Sequence, residues 1–175
     1  MYLEAILAHK KEEVKKKKRA GFFAGLPGKS GNLNLPGGSG NLPGGSPPGL
    51  HENLPGEGLF GRSLPGGKRF RSALAAPGIS VVAEVKRASP SRGLIAPGLD
   101  PVKTAVLYEE NGAAAISVLT EEKFFRGGIH DLRAVKKAST LPVLAKDFFL
   151  EPCQIEEAAG AGADAILLIM AILSR

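Results

Sequence analysis

The sequence is poor in the residues that build disulfide frameworks and metal clusters. Its 175 residues include one cysteine, Cys153, no tryptophan, and three histidines that lie far apart. A single cysteine excludes an internal disulfide framework and suits a reducing, cytoplasmic compartment. The scattered histidines show no metal-ligand spacing, so we expect no metal site. No apolar run is long enough to cross a bilayer, and the N-terminus does not show the residue order of a secretory signal.

Positive charge is concentrated near the N-terminus. The net charge is +6, and much of it comes from Lys10, Lys11, Lys15, Lys16, Lys17, Lys18 and Arg19. Such a run can bind nucleic acid or an anionic membrane. However, no aromatic residues alternate with the cations for base stacking, and no nucleic-acid fold signature follows. We therefore interpret the run as a solvated helix face and expect neither nucleic acid nor a membrane as partner.

The chain divides into three parts. Residues 1–20 predict a helix with a narrow apolar stripe, which must pack on another element because so short a helix is marginal alone. Residues 21–69 are low in complexity, since Leu-Pro-Gly recurs from positions 26, 35, 42, 54 and 64. Proline removes backbone donors and glycine costs backbone entropy, so this part predicts a flexible linker. Residues 70–175 alternate strand and helix patterns.

The alternation in residues 70–175 predicts a parallel sheet covered by helices, an α/β fold. Apolar runs predict strands at Ile79–Val85, Ala113–Leu119, Pro142–Ala145 and Ala165–Met170. Between them, helices are predicted from the capping residue Asp100 to Gly112, over His130–Ala138, and from Glu151 or Pro152 to Gly160.

Unusual residues follow each predicted strand. Glu84 and Lys86 end the first strand and share a face, because side chains two apart on a strand point the same way. Ser89 follows them, and Lys146 and Asp147 follow the third strand. Ligands of parallel α/β folds lie at the carboxyl ends of the strands, where the two lysines would converge.

The convergent cations suit a phosphate, a carboxylate or a developing oxyanion, and one lysine could serve as a general acid. The alternative is purely structural. Glu84 and Lys86 would then be an ion pair at a strand end, and Lys146 would pair with Asp147.

Four stretches resemble the indole-3-glycerol phosphate synthase family, (β/α)8-barrel enzymes of tryptophan biosynthesis. They are V-A-E-V-K-R-A-S-P-S-R-G (82–93), A-A-I-S-V-L-T-E-E-K-F-F-R-G-G (114–128), L-P-V-L-A-K-D-F (141–148) and A-G-A-D-A-I-L-L-I (161–169). The N-terminal helix is similar to the extra helix that precedes the family's barrel. The resemblance implies a partial (β/α)8 TIM barrel with about the first four strands, preceded by the helix and the Gly/Pro-rich linker. Residues 70–175 would be the N-terminal half of the catalytic domain.

The resemblance also implies a reaction. The family closes the indole ring of 1-(2-carboxyphenylamino)-1-deoxyribulose 5-phosphate with loss of carbon dioxide and water, and it uses neither cofactor nor metal. Lys146 matches the general acid that protonates the ketone oxygen. Lys86 matches the lysine that holds the substrate's anionic groups, and Glu84 matches the carboxylate beside it. Substrate-binding positions are matched by Ser89, Phe125 and Phe148.

The resemblance covers about four of the eight barrel strands. The family's second catalytic glutamate, an asparagine and its phosphate-binding loops have no counterpart in this sequence. We therefore expect weak or no activity from the chain alone. The alternative is a non-catalytic half barrel that self-associates, or needs a complementing half, through open sheet edges.

Two other functions fit less well. A phosphoribosylanthranilate isomerase would need a cysteine and an aspartate at the strand ends, whereas Cys153 falls within a predicted helix. A module that binds anionic surfaces through the lysine-rich helix predicts binding that depends steeply on salt.

Overall fold

The computed structural model describes residues 2–24 and 67–173. The helices are α1 Tyr2–Arg19, α2 Gly67–Leu74, α3 Pro101–Glu110, α4 Ile129–Ala138 and α5 Pro152–Gly160. The strands are β1 Val82–Val85, β2 Ala88–Ser89, β3 Gly93–Leu94, β4 Ala115–Leu119, β5 Val143–Lys146 and β6 Ala165–Ile166. Most of the predicted linker lies outside the described residues, and α2 begins at Gly67, just inside its predicted end. No helix of the described ranges has the length and apolar character needed to cross a membrane.

A four-stranded parallel sheet with the order β1-β4-β5-β6 forms the centre of the fold. Each strand pairs in parallel with its neighbour, for example Glu84 with Ser117 and Leu119 with Lys146. The predicted α/β architecture with four parallel strands is confirmed, although β1, β4 and β6 are shorter than their apolar runs and β5 is shifted by one residue. The sequence pattern did not predict the small antiparallel hairpin of β2 and β3, which follows β1 directly.

The two faces of the sheet differ in what covers them. One face carries Val85, Val118, Ala145 and their neighbours, which are buried with residues of α3, α4 and α5 in one apolar cluster. Side chains alternate along a strand, so the other face carries Glu84 on β1 and Lys146 on β5. Both of these side chains are partly exposed. The helices therefore cover one face and leave the charged strand ends on the other.

Local sequence explains where the central helices begin. The Asp100 carboxylate accepts hydrogen bonds from the backbone N–H groups of Val102 at 2.9 Å and Lys103 at 3.2 Å, and Pro101 occupies the first turn. Gly112, with a φ of +79°, follows α3 in the left-handed region that glycine adopts at low cost. Helix α5 begins at Pro152 after a reciprocal cap between Glu151 and Gln154. These predicted helix boundaries agree with the structure to within two residues.

Helix α1 packs through its apolar stripe, as its sequence pattern predicts, and Ile6 and Val14 are buried. The interpretation of its basic run as a solvated face is wrong for two residues. Lys10 is only 1% exposed, and Lys17 is partly buried against Glu157. The physical reason is that carboxylates contact both ammonium groups. Glu13 of α1 pairs with both lysines, Asp147 pairs with Lys10, and Glu157 pairs with Lys17. These ion pairs offset the cost of removing the ammonium groups from water.

The apolar cluster predicts a large effect of truncating its most buried leucine. Leu132 on α4 is fully buried, whereas Leu107 on α3 is 56% exposed. We expect Leu132→Ala to lower the free energy of unfolding by about 3 kcal/mol, because it leaves a cavity. Equilibrium denaturation by urea measures the change.

Leu107→Ala is the matched control and should change the unfolding free energy by less than about 0.5 kcal/mol. Equal effects of the two substitutions would contradict the described packing of α4 on the sheet.

Candidate active site

A carboxylate lies between two ammonium groups at the carboxyl end of the sheet. Lys86 Nζ donates to Glu84 Oε1 at 2.5 Å, and Lys146 Nζ donates to Glu84 Oε2 at 2.5 Å. The side chains of the three residues, here called the charged trio, are 25% to 38% exposed. The structure therefore brings together the three residues for which the sequence suggested catalytic roles.

The strand register explains why the charged trio meets. In a parallel sheet, paired residues of neighbouring strands project to the same side. Glu84 pairs with Ser117 on β4, while Lys146 pairs with Leu119 two residues further along β4. Glu84 and Lys146 therefore project to one side of the sheet, near its carboxyl rim. Lys86 follows β1 and reaches the same carboxylate.

The two lysines keep the carboxylate charged. Burial raises the pKa of Glu84, but hydrogen bonds and charge from Lys146 and Lys86 lower it by more, so its pKa lies below its ordinary value. An ionised Glu84 can orient both ammonium groups and can accept a proton from either. The alternative pairing of Lys146 with Asp147 is not what the structure shows, because Asp147 pairs with Lys10 instead.

Two phenylalanine side chains come from the loops after the next two strands of the sheet, Phe125 after β4 and Phe148 after β5. The centroids of Phe125 and Phe148 lie 6.3 Å apart with their planes at 43°. The loop that carries Phe125 is organised by the fully buried Glu121, whose carboxylate accepts backbone N–H bonds from Lys123, Phe124 and Phe125. Glu121 was not singled out from the sequence, although its position two residues after an apolar strand could have indicated a buried residue that organises the loop.

Ser89 lies on the β2–β3 hairpin, three residues after Lys86 in the chain. Its Oγ accepts the backbone N–H of Arg92 at 3.3 Å, and it lines a cleft of 540 Å³ with Arg87, Phe124 and Arg126. Arg87 directly precedes this hairpin and connects it to two other elements. Its guanidinium binds the Asp131 carboxylate of α4 with two nitrogens and donates to the Arg126 carbonyl of the loop after β4. The cleft lining includes Ser89 but no member of the charged trio.

The register adds three residues to this side of the sheet that the sequence analysis missed. Ser117 and Leu144 lie in register with Glu84. Leu167 follows Ala165, the partner of Leu144, by two residues and is 39% exposed. The sequence alone could not identify these positions, because they lie on other strands than Glu84 and the strand pairing sets which of their residues share its side of the sheet. The Ser117 hydroxyl is buried and has no hydrogen-bond partner among the described residues.

The site offers acid–base chemistry through amines and a carboxylate. Within residues 2–24 and 67–173, no group of three His, Cys, Asp or Glu side chains is placed to hold a metal ion. Two ammonium groups can bind an anionic substrate or donate a proton to an oxygen that gains negative charge.

The lowered pKa of Glu84 predicts a pH-dependent contribution to stability. Its unfolded pKa is about 4.3, and the folded value is lower, so the contribution is complete above the unfolded value and is lost as the pH falls through the folded value. We expect the difference in unfolding free energy between the unaltered chain and Glu84→Gln to be constant from about pH 7 to 5 and to shrink below about pH 4.

Urea denaturation at each pH measures this difference. Glu122→Gln, at an exposed carboxylate of the loop after β4, is the control for the effect of a Glu-to-Gln substitution itself. A Glu84→Gln difference that stays constant down to about pH 2.5 would contradict the lowered pKa.

The unpaired Ser117 hydroxyl predicts that its removal is favourable. A buried polar group without a partner costs free energy, so Ser117→Ala should raise the unfolding free energy by about 1 kcal/mol. Ser139 is a buried serine whose Oγ accepts the Leu141 N–H at 3.1 Å, and Ser139→Ala should lower the unfolding free energy by about the same amount. Thermal and urea denaturation of both variants provide the comparison, and a loss of stability in both would show that the Ser117 hydroxyl is bonded.

Comparison with known proteins identifies the family. A family model described as indole-3-glycerol phosphate synthase matches residues 63–175, more than half of the chain. The indole-3-glycerol phosphate synthase of Mycolicibacterium gilvum is 57% identical over 104 residues, which cover 59% of this chain and 38% of the relative. That of Desulfosudis oleivorans is 50% identical over 111 residues, which cover 63% of this chain and 42% of the relative. The chain thus spans about two fifths of the length of these curated relatives. The family resemblance predicted from the four sequence stretches is confirmed, and the chain belongs to the indole-3-glycerol phosphate synthase family.

Proposed function

We propose that this chain provides the proton-donating half of an indole-3-glycerol phosphate synthase active site. The reaction would be ring closure and decarboxylation of 1-(2-carboxyphenylamino)-1-deoxyribulose 5-phosphate to indole-3-glycerol phosphate, in the cytoplasm. The observation that carries the proposal is the Glu84 carboxylate held between Lys86 and Lys146 at 2.5 Å from each.

In this proposal Lys146 is the general acid. The aromatic carbon attacks the ketone carbon, a carbon–carbon bond forms, and the ketone oxygen takes a proton from the Lys146 ammonium. The carboxylate of the ring then leaves as carbon dioxide, and the electron pair of the broken bond restores the aromatic ring. The new hydroxyl takes up a further proton and leaves as water, while the adjacent methylene carbon loses a proton to form the indole double bond. The ionised Glu84 supports the proposal because it holds the Lys146 ammonium in place and can assist the proton transfers.

Lys86 would bind the anionic groups of the substrate. It shares the Glu84 carboxylate with Lys146, so an anion bound by Lys86 would lie close to the proton donor. The Phe125 and Phe148 rings would form an apolar wall beside the anthranilate ring, and Ser89 would contact the substrate from the hairpin. An apolar wall excludes water and strengthens the electrostatic interactions at the reacting atoms.

Complete activity would need residues beyond this sequence. The resemblance assigns a further glutamate, an asparagine and the phosphate-binding loops to strands that have no counterpart among these 175 residues. We therefore expect the chain alone to turn over substrate weakly or not at all, and to become active with a complementing half barrel.

The test combines this chain with the segment of the Mycolicibacterium gilvum relative that follows the matched stretch. Product formation is followed by indole fluorescence with the pure substrate. Removing a general acid typically costs about 10²- to 10⁴-fold in rate, and we expect Lys146→Met to lower the complemented turnover by that much. Lys137→Met, at an exposed lysine of α4, is the matched control and should leave turnover unchanged.

The same experiment distinguishes the proposed catalytic role from the alternative, a non-catalytic half barrel that self-associates. That alternative is favoured by apolar side chains exposed near the outer strands, among them Val81 at 54% and Leu168 at 45%. Sedimentation of the chain by itself measures self-association. Complemented turnover that survives Lys146→Met would contradict the proposed role of Lys146. A stable self-associated species that gains no turnover from the complementing segment would favour the non-catalytic half barrel.

A further inference from the structure

Lys10 of α1 is the most deeply buried cation in the described parts of the chain, at 1% exposure. Its Nζ lies 2.9 Å from Asp147 Oδ1 and 2.7 Å from Glu13 Oε2. A lysine is almost never buried this deeply unless it is paired, because an unpaired buried charge is costly. Burial lowers the pKa of Lys10, but the Asp147 charge and the Glu13 hydrogen bond raise it by more, so the ammonium stays protonated.

The carboxylate that Lys10 binds belongs to the residue that directly follows the proposed general acid in the chain. Asp147 follows Lys146, and it also accepts hydrogen bonds from Thr120 Oγ1 at 3.0 Å and from the Phe148 N–H at 2.7 Å. The Thr120 N–H in turn donates to the Lys146 carbonyl at 3.0 Å. Asp147 therefore links α1 to the ends of β4 and β5, immediately beside Lys146.

The contacts of α1 continue along the same segment. Lys17 binds Glu157 on α5 at 3.0 Å and Glu13 at 3.2 Å, and Lys18 pairs with Glu151 at the start of α5. Residues 147–151 lie between Lys146 and α5 and contain no helix or strand. A segment without regular backbone hydrogen bonds depends on side-chain contacts for its conformation. Helix α1 supplies such contacts at both ends of residues 147–151, through Lys10 to Asp147 and through Lys18 to Glu151.

We propose that Lys10 is a positioning residue for Lys146, which it holds in place through the Asp147 carboxylate. This inference rests on the proposed function, because it assigns α1 the task of orienting the general acid. In this proposal α1 helps to hold the active-site residue Lys146 in position. Loss of the Lys10 ammonium frees Asp147 and lets the end of β5 move, so that Lys146 spends less time against Glu84.

The test measures the reactivity of individual lysines in the full chain. Each amine is labelled with acetic anhydride, and the rate at each lysine is determined by mass spectrometry. An amine must leave its carboxylate partner before it can attack the reagent, so we expect Lys146 to label more slowly than Lys137, which is exposed and has no carboxylate partner among the described residues. In Lys10→Met, we expect the Lys146 rate to rise by at least about fivefold through local opening.

Matched variants separate positioning from general loss of structure. Lys15→Met removes an exposed lysine of the same helix, 54% exposed and paired with Glu12, and should leave the Lys146 rate unchanged within about twofold. Lys10→Arg keeps the charge and should restore slow labelling. Lys136 pairs with Asp164, which binds the backbone at the opposite end of β5. The Lys136 rate should not change in Lys10→Met if the effect is local.

Each outcome decides between the hypotheses. If Lys146 labels as fast as Lys137 in the unaltered chain, the charged trio is not formed and the proposed function fails. If Lys146 is protected but its rate does not respond to Lys10→Met, only the positioning role is overturned. If Lys10→Met does not fold, the double variant Lys10→Met with Asp147→Asn replaces it. The double variant has no unpaired carboxylate at position 147, and Glu13 keeps its ion pair with Lys17. The same fivefold rise at Lys146 is then expected, and its absence overturns the inference.

Discussion

The parallel pairing of β1, β4 and β5 is the interaction on which the candidate site depends. Strands that run in parallel end on the same side, so residues distant in sequence meet at one rim. Glu84 and Lys146 come together because each pairs with a residue of β4 on the same side of the sheet. A shift of one residue in either pairing would turn one of the two side chains toward the helices, where an unpaired charge is costly.

Charge pairing connects this rim to the N-terminal helix. The charged trio leaves one ammonium in excess on the exposed side, which suits an anionic substrate. On the buried side, Lys10 and Asp147 join α1 to the same strand end. Such a buried pair contributes little net stability compared with an apolar pair of the same size, but breaking it is costly. Its value in this protein therefore lies in specifying where α1 and the end of β5 sit.

The sequence predicted much of the architecture because its signals were local. Continuous apolar runs separated by capped helices led to the four strands and the parallel sheet, and Asp100, Pro101 and Gly112 marked α3 nearly to the residue. The V-A-E-V-K-R motif and the family resemblance singled out the charged trio. The hairpin of β2 and β3 was missed because its strands have two residues each, too short for any period to show.

By itself, the sequence determined the fold class and the residue types at the strand ends, because periodicity, caps and turn residues act between neighbours along the chain. Only the tertiary structure decided which charge meets which. Lys10 looks like any other member of a basic run, and its partner Asp147 lies on the far side of the linker. The same holds for Ser117 and Leu167, which join the site face only through strand register. Such pairings depend on how distant segments pack, and no local pattern encodes that.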